Sequence, residues 1–223
     1  MKSGDALVPA ETKLYLDFEA ATGAIDTARE VLTAVLEAAP VASVLIRSSR
    51  DTALDDATAR ALIAIAQKKS VPALIYGGTT QVPPLGADGI HLPWAQDIVS
   101  QFKDTRRVAP PGSVIGADAG RSRHDAMELG EAGADYIAFG IPPDAEDRAD
   151  AVERRIELIA WWNEVFELPS VAFDVADTEE ARRLAEAGAD FVSVTIPQHC
   201  DMDDAVSRAR DFADALVLHE RAE

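Results

Sequence analysis

The chain has one cysteine, Cys200, in 223 residues. No disulfide can form within it, and a reducing cytoplasm is the expected compartment. It has no apolar run approaching the roughly 20 residues needed to span a bilayer. Its first stretch, Met1 to Thr12, holds no apolar core of signal-peptide length, so a soluble intracellular protein with no membrane partner is expected. Basic residues are scarce: 21 Lys and Arg stand against 39 Asp and Glu, a formal charge of −18. Such a chain has no general electrostatic footprint for nucleic acid or anionic membrane. A few local Arg and backbone N–H groups can still hold a small anion. Two further absences bear on chemistry. No Gly-rich dinucleotide fingerprint follows the first strand, and no Lys ends a strand where a Schiff-base aldolase needs one.

What is present is alternation. Apolar runs that read as buried parallel strands cover Lys13–Phe18, Val41–Arg47, Val71–Tyr76, Gly89–Leu92, Ser113–Ala117, Tyr136–Ile141, Ser170–Val175 and Phe191–Ile196. Helical spacing covers Ile25–Ala39, Asp55–Lys69, Gln96–Phe102, Ser122–Ala132, Asp147–Phe166, Asp177–Ala187 and Asp203–Glu220. Counted as eight βα units, the pattern predicts an α/β fold, a single-domain (β/α)8 TIM barrel over residues 13–223 with an N-terminal extension over 1–12. A doubly wound sheet is the rival.

An internal repeat supports the barrel. Gly86-Ala-Asp, Gly133-Ala-Asp and Gly188-Ala-Asp each precede an apolar strand. Gly is suited to end a helix in the left-handed conformation, so each copy predicts a tight turn at the bottom of the barrel. A structural role is expected for these Asp residues.

In such barrels the working groups lie at the strand C-termini. Those positions are Asp17, Arg47, Tyr76, His91, Asp118, Gly140, Asp174 and Thr195. Arg47, followed by Ser48, Ser49 and Arg50, can grip a phosphate or carboxylate in bidentate fashion, or pair with Asp17 or Asp118 across the mouth. His91 suits acid, base or ligand chemistry, or a structural hydrogen bond. Asp17, Asp118 and Asp174 are candidate ligands for a divalent ion if their strands converge.

At these residues the chain resembles a known family. Leu14-Tyr-Leu16, Leu45-Ile-Arg47, Gly86-Ala-Asp-Gly-Ile-His-Leu92, Ile115-Gly-Ala117, Gly133-Ala-Asp-Tyr-Ile-Ala-Phe-Gly140 and Pro169-Ser-Val-Ala172 fall in the order of thiamine-phosphate synthases and the related thiazole tautomerases. The resemblance spans about Lys13 to Val217 and implies a (β/α)8 barrel. It also implies a transferase that joins a pyrimidine pyrophosphate to a thiazole phosphate with Mg²⁺, releasing pyrophosphate. Arg47, His91 and Ser193-Val194 match the family pattern. Elsewhere the sequence departs from it. Ser49 replaces a Lys, and Tyr76-Gly77-Gly78 replaces the Asn-Asp-Arg that carries a metal Asp. Pro93-Trp94-Ala95-Gln96 replaces Gly-Gln-x-Asp, with Asp97 one residue late. Asp118 and Gly120 replace a Ser and a His. Pro142-Pro143-Asp144 replaces the Thr-x-Thr-Lys loop, and Asp174-Val175 replaces a Gly-Gly phosphate cradle.

Departure of pyrophosphate needs a metal and cations to take up charge, so these losses predict negligible synthase activity. The expected function is a divergent member of the family that acts on or binds a small, phosphorylated molecule at the mouth. His91 and Asp118 are its catalytic candidates; Arg47, Asp174 and Ser193 are its ligand-binding candidates. A non-catalytic relative that binds a ligand or a protein is the alternative, and an unrelated barrel enzyme the third reading. A homodimer is expected through the Asp147–Phe166 helix. Val152, Ile156, Ile159 and Phe166 would face the barrel, leaving Leu158, Trp161, Trp162 and Val165 as a second apolar face.

Overall fold

The computed structural model describes residues 11–21, 23–48, 54–77, 85–141 and 145–217. Eight parallel strands close into a barrel in sequence order, and β1 completes the ring by pairing with β8. The strands are β1 Lys13–Ala20, β2 Val41–Ser48, β3 Ala73–Tyr76, β4 Gly89–Leu92, β5 Val114–Asp118, β6 Tyr136–Phe139, β7 Ser170–Ala172 and β8 Phe191–Ile196. Seven helices lie among the described residues: α1 Ile25–Ala38, α2 Asp56–Lys68, α3 Ile98–Val108, α4 Arg123–Glu131, α5 Arg148–Val165, α6 Thr178–Glu186 and α7 Met202–Leu216. Between β3 and β4, residues 78–84 fall outside the described part, as do residues 1–10 of the expected N-terminal extension.

Strand alternation divides the apolar residues between two cores. Leu14, Leu16, Phe18, Val44 and Ile46 join the large cluster between strands and helices. Tyr15, Leu45, Leu74, Tyr136, Val171 and Phe173 fill the barrel interior. Successive Cβ atoms point to opposite sides of a strand, so both sides of a closed parallel sheet are apolar. This is why the strands read as unbroken hydrophobic runs. Gly116 solves a local packing problem. A Cβ there would stand 1.9 Å from the Tyr136 ring, so only glycine lets that ring lie across β5.

The three Gly-Ala-Asp turns behave alike. Gly86, Gly133 and Gly188 all take positive φ. Asp88, Asp135 and Asp190 accept backbone N–H groups from Ala73, Ile115 and Ser170 at 2.8, 2.7 and 2.8 Å. Each carboxylate therefore fastens the N-terminal end of the preceding odd-numbered strand, far from the mouth.

Of the boundaries that differ from expectation, three have a visible cause. α3 continues to Val108, where Arg106 anchors it by donating to Gly133 O and Asp135 at 2.6 Å. β3 begins after Pro72, which has no N–H to give the ladder. β7 ends at Ala172, because Asp174 turns to φ 59. The two-faced reading of α5 also needs correction. Its inward residues are Ala151, Arg155, Leu158, Ile159 and Trp162. Phe166 stacks on Trp162 with ring centroids 4.1 Å apart, and the indole N–H reaches Leu168 O at 2.7 Å. Arg123 covers Trp161 at 4.7 Å. Of the supposed outer face, Val165 is the exposed member, because the turn after α5 folds back and closes over the tryptophans.

Candidate functional site

Strand register brings the expected residues to one end of the barrel. Arg47 lies opposite Glu19, and Asp17 opposite Thr195. Tyr76 pairs with His91, and Asp118 with Ala138. Below them the interior is apolar; at this level the same inward positions become ionisable, which is where parallel strands leave the core.

On the β8–β1–β2 side the charges are already paired. Arg47 Nε donates to Asp17 Oδ1 at 2.7 Å, and its outer nitrogen meets Glu19 at 2.8 Å. The Thr195 hydroxyl donates to Asp17 Oδ2 at 3.0 Å. Burial pushes the Asp17 carboxyl up, while Arg47 and Thr195 pull it back. Arg47 was expected to be available to an anion; it is instead held by two carboxylates, the ion-pair alternative carried one partner further.

The β5–β6–β7 side is different. Asp118 Oδ1 accepts N–H groups from Gly120 at 2.7 Å and Gly140 at 3.2 Å. Asp174 Oδ2 accepts from Ile141 at 3.0 Å. A Cβ on Gly140 would stand 2.6 Å from Asp118 Oδ2 and 2.9 Å from Asp174 Oδ2, so the two carboxylates converge over that glycine. Burial pushes the Asp118 carboxyl up to about 6; the Gly120 and Gly140 N–H groups oppose this, the Asp174 charge adds to it, and Arg155 opposes it again. A carboxyl with that value beside a solvent-exposed carboxylate can give or take a proton near neutrality.

His91 sits deeper than a mouth residue. It is 2 % exposed, its Nδ1 and Tyr136 OH are 2.9 Å apart, and that phenol is 3.1 Å from Tyr15 OH. Phe173 stacks on the imidazole at 4.6 Å. Burial, aided by the charge of Arg47, lowers its pKa to about 3, so the ring is neutral. This is the structural-histidine alternative. Ser193 is equally interior: opposite Tyr15 and 1 % exposed, its Oγ has no hydrogen-bond partner among the described residues.

The three aspartates proposed as metal ligands do not assemble. Asp17 is bound to Arg47 and Thr195, apart from the Asp118–Asp174 pair. No group of three or more His, Cys, Asp or Glu among the described residues is arranged to hold a metal. The positions where the resemblance puts metal carboxylates hold Gly77 and Gln96. Asp97 turns away to accept from Gln101 at 2.8 Å. Among the described residues the donor set therefore does not fit Mg²⁺.

Most helix N-termini among the described residues are already capped. Five of the seven described helices begin with a side-chain cap: Asp55, Ser122, Asp147, Asp177 and Asp201 each accept a first-turn N–H. At least one acidic residue follows in each first turn. A helix N-terminus binds an anion through free N–H groups, and in these five helices a side-chain oxygen, a carboxylate in four and the Ser122 hydroxyl in the fifth, already takes at least one of them. Ser49, Arg50 and Pro142-Pro143-Asp144 lie outside the described residues.

Sequence reading missed the groups behind the mouth. Tyr15, Tyr136, Arg155 and Glu180 were not among the candidates read from the sequence. The signal for Arg155 was its place on the apolar stripe of α5.

The sequence profile of the Thiamine monophosphate synthase family matches residues 19–196. A thiamine-phosphate synthase of Hyphomonas neptunium is 35% identical over 189 residues, 82% of this chain and 84% of its own. One from Erythrobacter litoralis is 40% identical over 139 residues, 61% of this chain and 64% of its own. Among solved structures, a thiamine phosphate pyrophosphorylase from Pyrococcus furiosus superimposes with a TM-score of 0.69 at 19% identity, covering 93% of this chain and 96% of that one. At that identity the likeness concerns the fold alone.

Proposed function

The chain belongs to the Thiamine monophosphate synthase family, and from that premise we propose that it acts on a small molecule at the barrel mouth by proton transfer through Asp118 and Asp174. In this reading it does not carry out metal-dependent release of pyrophosphate. The supporting observation is the convergence of the two carboxylates over Gly140, with Asp118 lifted to about 6. Asp118 Oδ1 is occupied by two N–H groups, which leaves Oδ2 as the oxygen that carries the proton. Asp174, open to solvent, is the neighbouring acceptor.

Charge supports this reading over the standard reaction. A diphosphate entering here would meet the Asp118–Asp174 pair, while Arg47 is already committed to Asp17 and Glu19. Two like charges about 4 Å apart repel by about 4 kcal/mol at the effective dielectric of a partly exposed site. The phosphorylated ligand expected from sequence is therefore disfavoured relative to an uncharged or cationic one.

A thermal-shift screen of the purified protein tests this, using inorganic phosphate, pyrophosphate, Mg²⁺ and the pyrimidine and thiazole precursors without their phosphates. An unphosphorylated precursor should raise the melting temperature of the native chain and fail with Asp118→Asn. Pyrophosphate with Mg²⁺ should give no shift, and synthase turnover should be negligible. Stabilisation of about 2.7 kcal/mol, the value at a hundredfold excess over Kd, by pyrophosphate and Mg²⁺ would overturn the reading. So would synthase turnover near about 10 per second. Precursor binding that survives Asp118→Asn without turnover would favour the non-catalytic alternative.

A further inference from the structure

Arg155 lies on α5, outside the barrel wall, yet is 1 % exposed. Its neighbours on the inward face are Ala151, Leu158, Ile159 and Trp162, where an aliphatic side chain would cover the strands as well. Replacing a buried ion pair with apolar groups is often neutral or stabilising, and Arg155 Nε finds no acceptor among the described residues. Cohesion alone is thus a poor account of this cation.

Its contacts suggest another. The Arg155 guanidinium donates to Phe173 O and to Glu180 Oε1. Glu180 Oε2 accepts the Ala176 N–H at 2.9 Å. Arg148 donates to Asp174 O at 2.7 Å and stands 3.6 Å from Glu180. Residues 173–176 are therefore gripped on both sides of Asp174, which is held at φ 59, a conformation L-residues other than Asn and Asp rarely take. In that conformation its carboxylate reaches the Ile141 N–H and faces Asp118.

We propose that Arg155 and Glu180 are positioning residues, a buried strap that holds the segment after β7 so that the Asp174 carboxylate faces Asp118. The proposal deepens the acid–base reading and rests on it for its catalytic meaning, but the geometry it asserts can be tested without ligand or turnover. The strap works from behind the barrel wall, touching backbone and never the mouth. Arg155 fixes Phe173 O, Glu180 fixes the Ala176 N–H, and the backbone of the left-handed residue between them is held from both sides.

Hydrogen exchange followed by NMR tests it on the full chain with Arg155→Met, which keeps most of the side-chain bulk. The Ile141 amide, whose acceptor is Asp174 Oδ2, should exchange roughly tenfold faster, as expected for a local opening. The Ile137 and Asp135 amides, bonded to Pro169 O and Ile115 O in the barrel wall, should keep their rates. Arg155→Lys, which retains a donor and the charge, should restore part of the Ile141 protection. If Arg155→Met does not fold, Glu180→Gln provides the comparison: it removes the partner charge and keeps an oxygen for Ala176. An unchanged Ile141 rate would overturn the proposal. So would equal acceleration of all three amides, which would make the pair a support for the wall alone. Asp118→Asn in the thermal-shift screen judges the acid–base reading separately.

Discussion

Asp17 on β1 and Asp118 on β5 both stand on inward-facing rows near the barrel mouth, but they have different company. Asp17 meets a guanidinium at 2.7 Å and a hydroxyl at 3.0 Å, and that guanidinium reaches Glu19 as well. Asp118 meets two backbone N–H groups and, across Gly140, another carboxylate. The first arrangement closes on itself: the one guanidinium is shared by two carboxylates, and among the described residues no free cation is left there for an anionic ligand. The second is kept out of balance. Proteins commonly hold carboxylates in such a state where a proton must move, because the same imbalance that costs stability brings the pKa into a useful range.

The comparison is broken most strongly at its closed side. Asp17→Ala leaves Arg47 with Glu19 alone and Thr195 without its acceptor. The loss should be about 3 kcal/mol, the low end for unpairing a buried charge, because Arg47 keeps one partner and some solvent. Urea denaturation at neutral pH measures it. A loss below about 1 kcal/mol would mean that the pair behaves as a surface ion pair and that the two sides do not differ as described.

At the unbalanced side the sign reverses. The folded Asp118 value near 6 lies above the ordinary 3.8, so between those values the folded protein binds the extra proton. Its contribution to stability is present below about pH 4, fades as pH rises through 6 and is absent above that. Asp118→Asn removes this dependence. Relative to native protein the variant should gain about 1–2 kcal/mol at pH 7 and little or nothing at pH 4, since a tenfold change in proton affinity corresponds to about 1.4 kcal/mol. Melting curves of both proteins at the two pH values give the difference. A variant that tracks the native chain at both would show that Asp118 ionises like an ordinary carboxylate.

These differences mark the limit of what could be read from sequence. The closed barrel and its Gly-Ala-Asp turns were legible because they follow from periodicity and from one residue's tolerance of positive φ, both local properties. The strand ends that carry the mouth could be located too, although His91 and Ser193 lie inside the barrel rather than at its rim. The pairing of the mouth residues was not legible. Whether Arg47 would face Asp17, Asp118 or a ligand depends on the register of β2 against β1 and on the rotamer of a long side chain, and Thr195 reaches Asp17 only because β8 closes on β1. His91 shows the same limit. One position earlier or later on β4 would have turned it out of the barrel, and nothing local distinguishes a buried imidazole facing Tyr136 from one at the rim. Arg155 was overlooked because a charged residue on a helix usually faces water; only its place among apolar neighbours hinted otherwise. The second apolar face of α5 was read from a helical wheel, which cannot show Phe166 and Leu168 folding back over Trp162.

The smallest effect sharpens the comparison most. Gly140 has no unusual backbone conformation, so Ala there costs nothing in φ and ψ, but its methyl would stand 2.6 Å from Asp118 Oδ2 and 2.9 Å from Asp174 Oδ2. Both atoms are ends of side chains that can swing apart. The methyl should therefore act as a wedge: Asp118 loses its long 3.2 Å bond from the Gly140 N–H, while the carboxylates gain distance and solvent. A weak hydrogen bond is worth about 1 kcal/mol, and relief of like-charge repulsion offsets it, so net stability at pH 7 should change by less than about 1 kcal/mol. The Asp118 titration should change more visibly. Loss of the Gly140 N–H bond alone would raise its midpoint and the greater distance from Asp174 would lower it; reduced burial, the largest cause, should tip the balance to a fall from about 6 towards the ordinary value, read by carbon-13 NMR of the carboxyl. A Gly140→Ala protein with native stability and a lowered midpoint would locate the origin of the perturbation in the contact over this glycine. A midpoint that stays near 6 would assign it to burial of Asp118 alone and remove Asp174 from the pair.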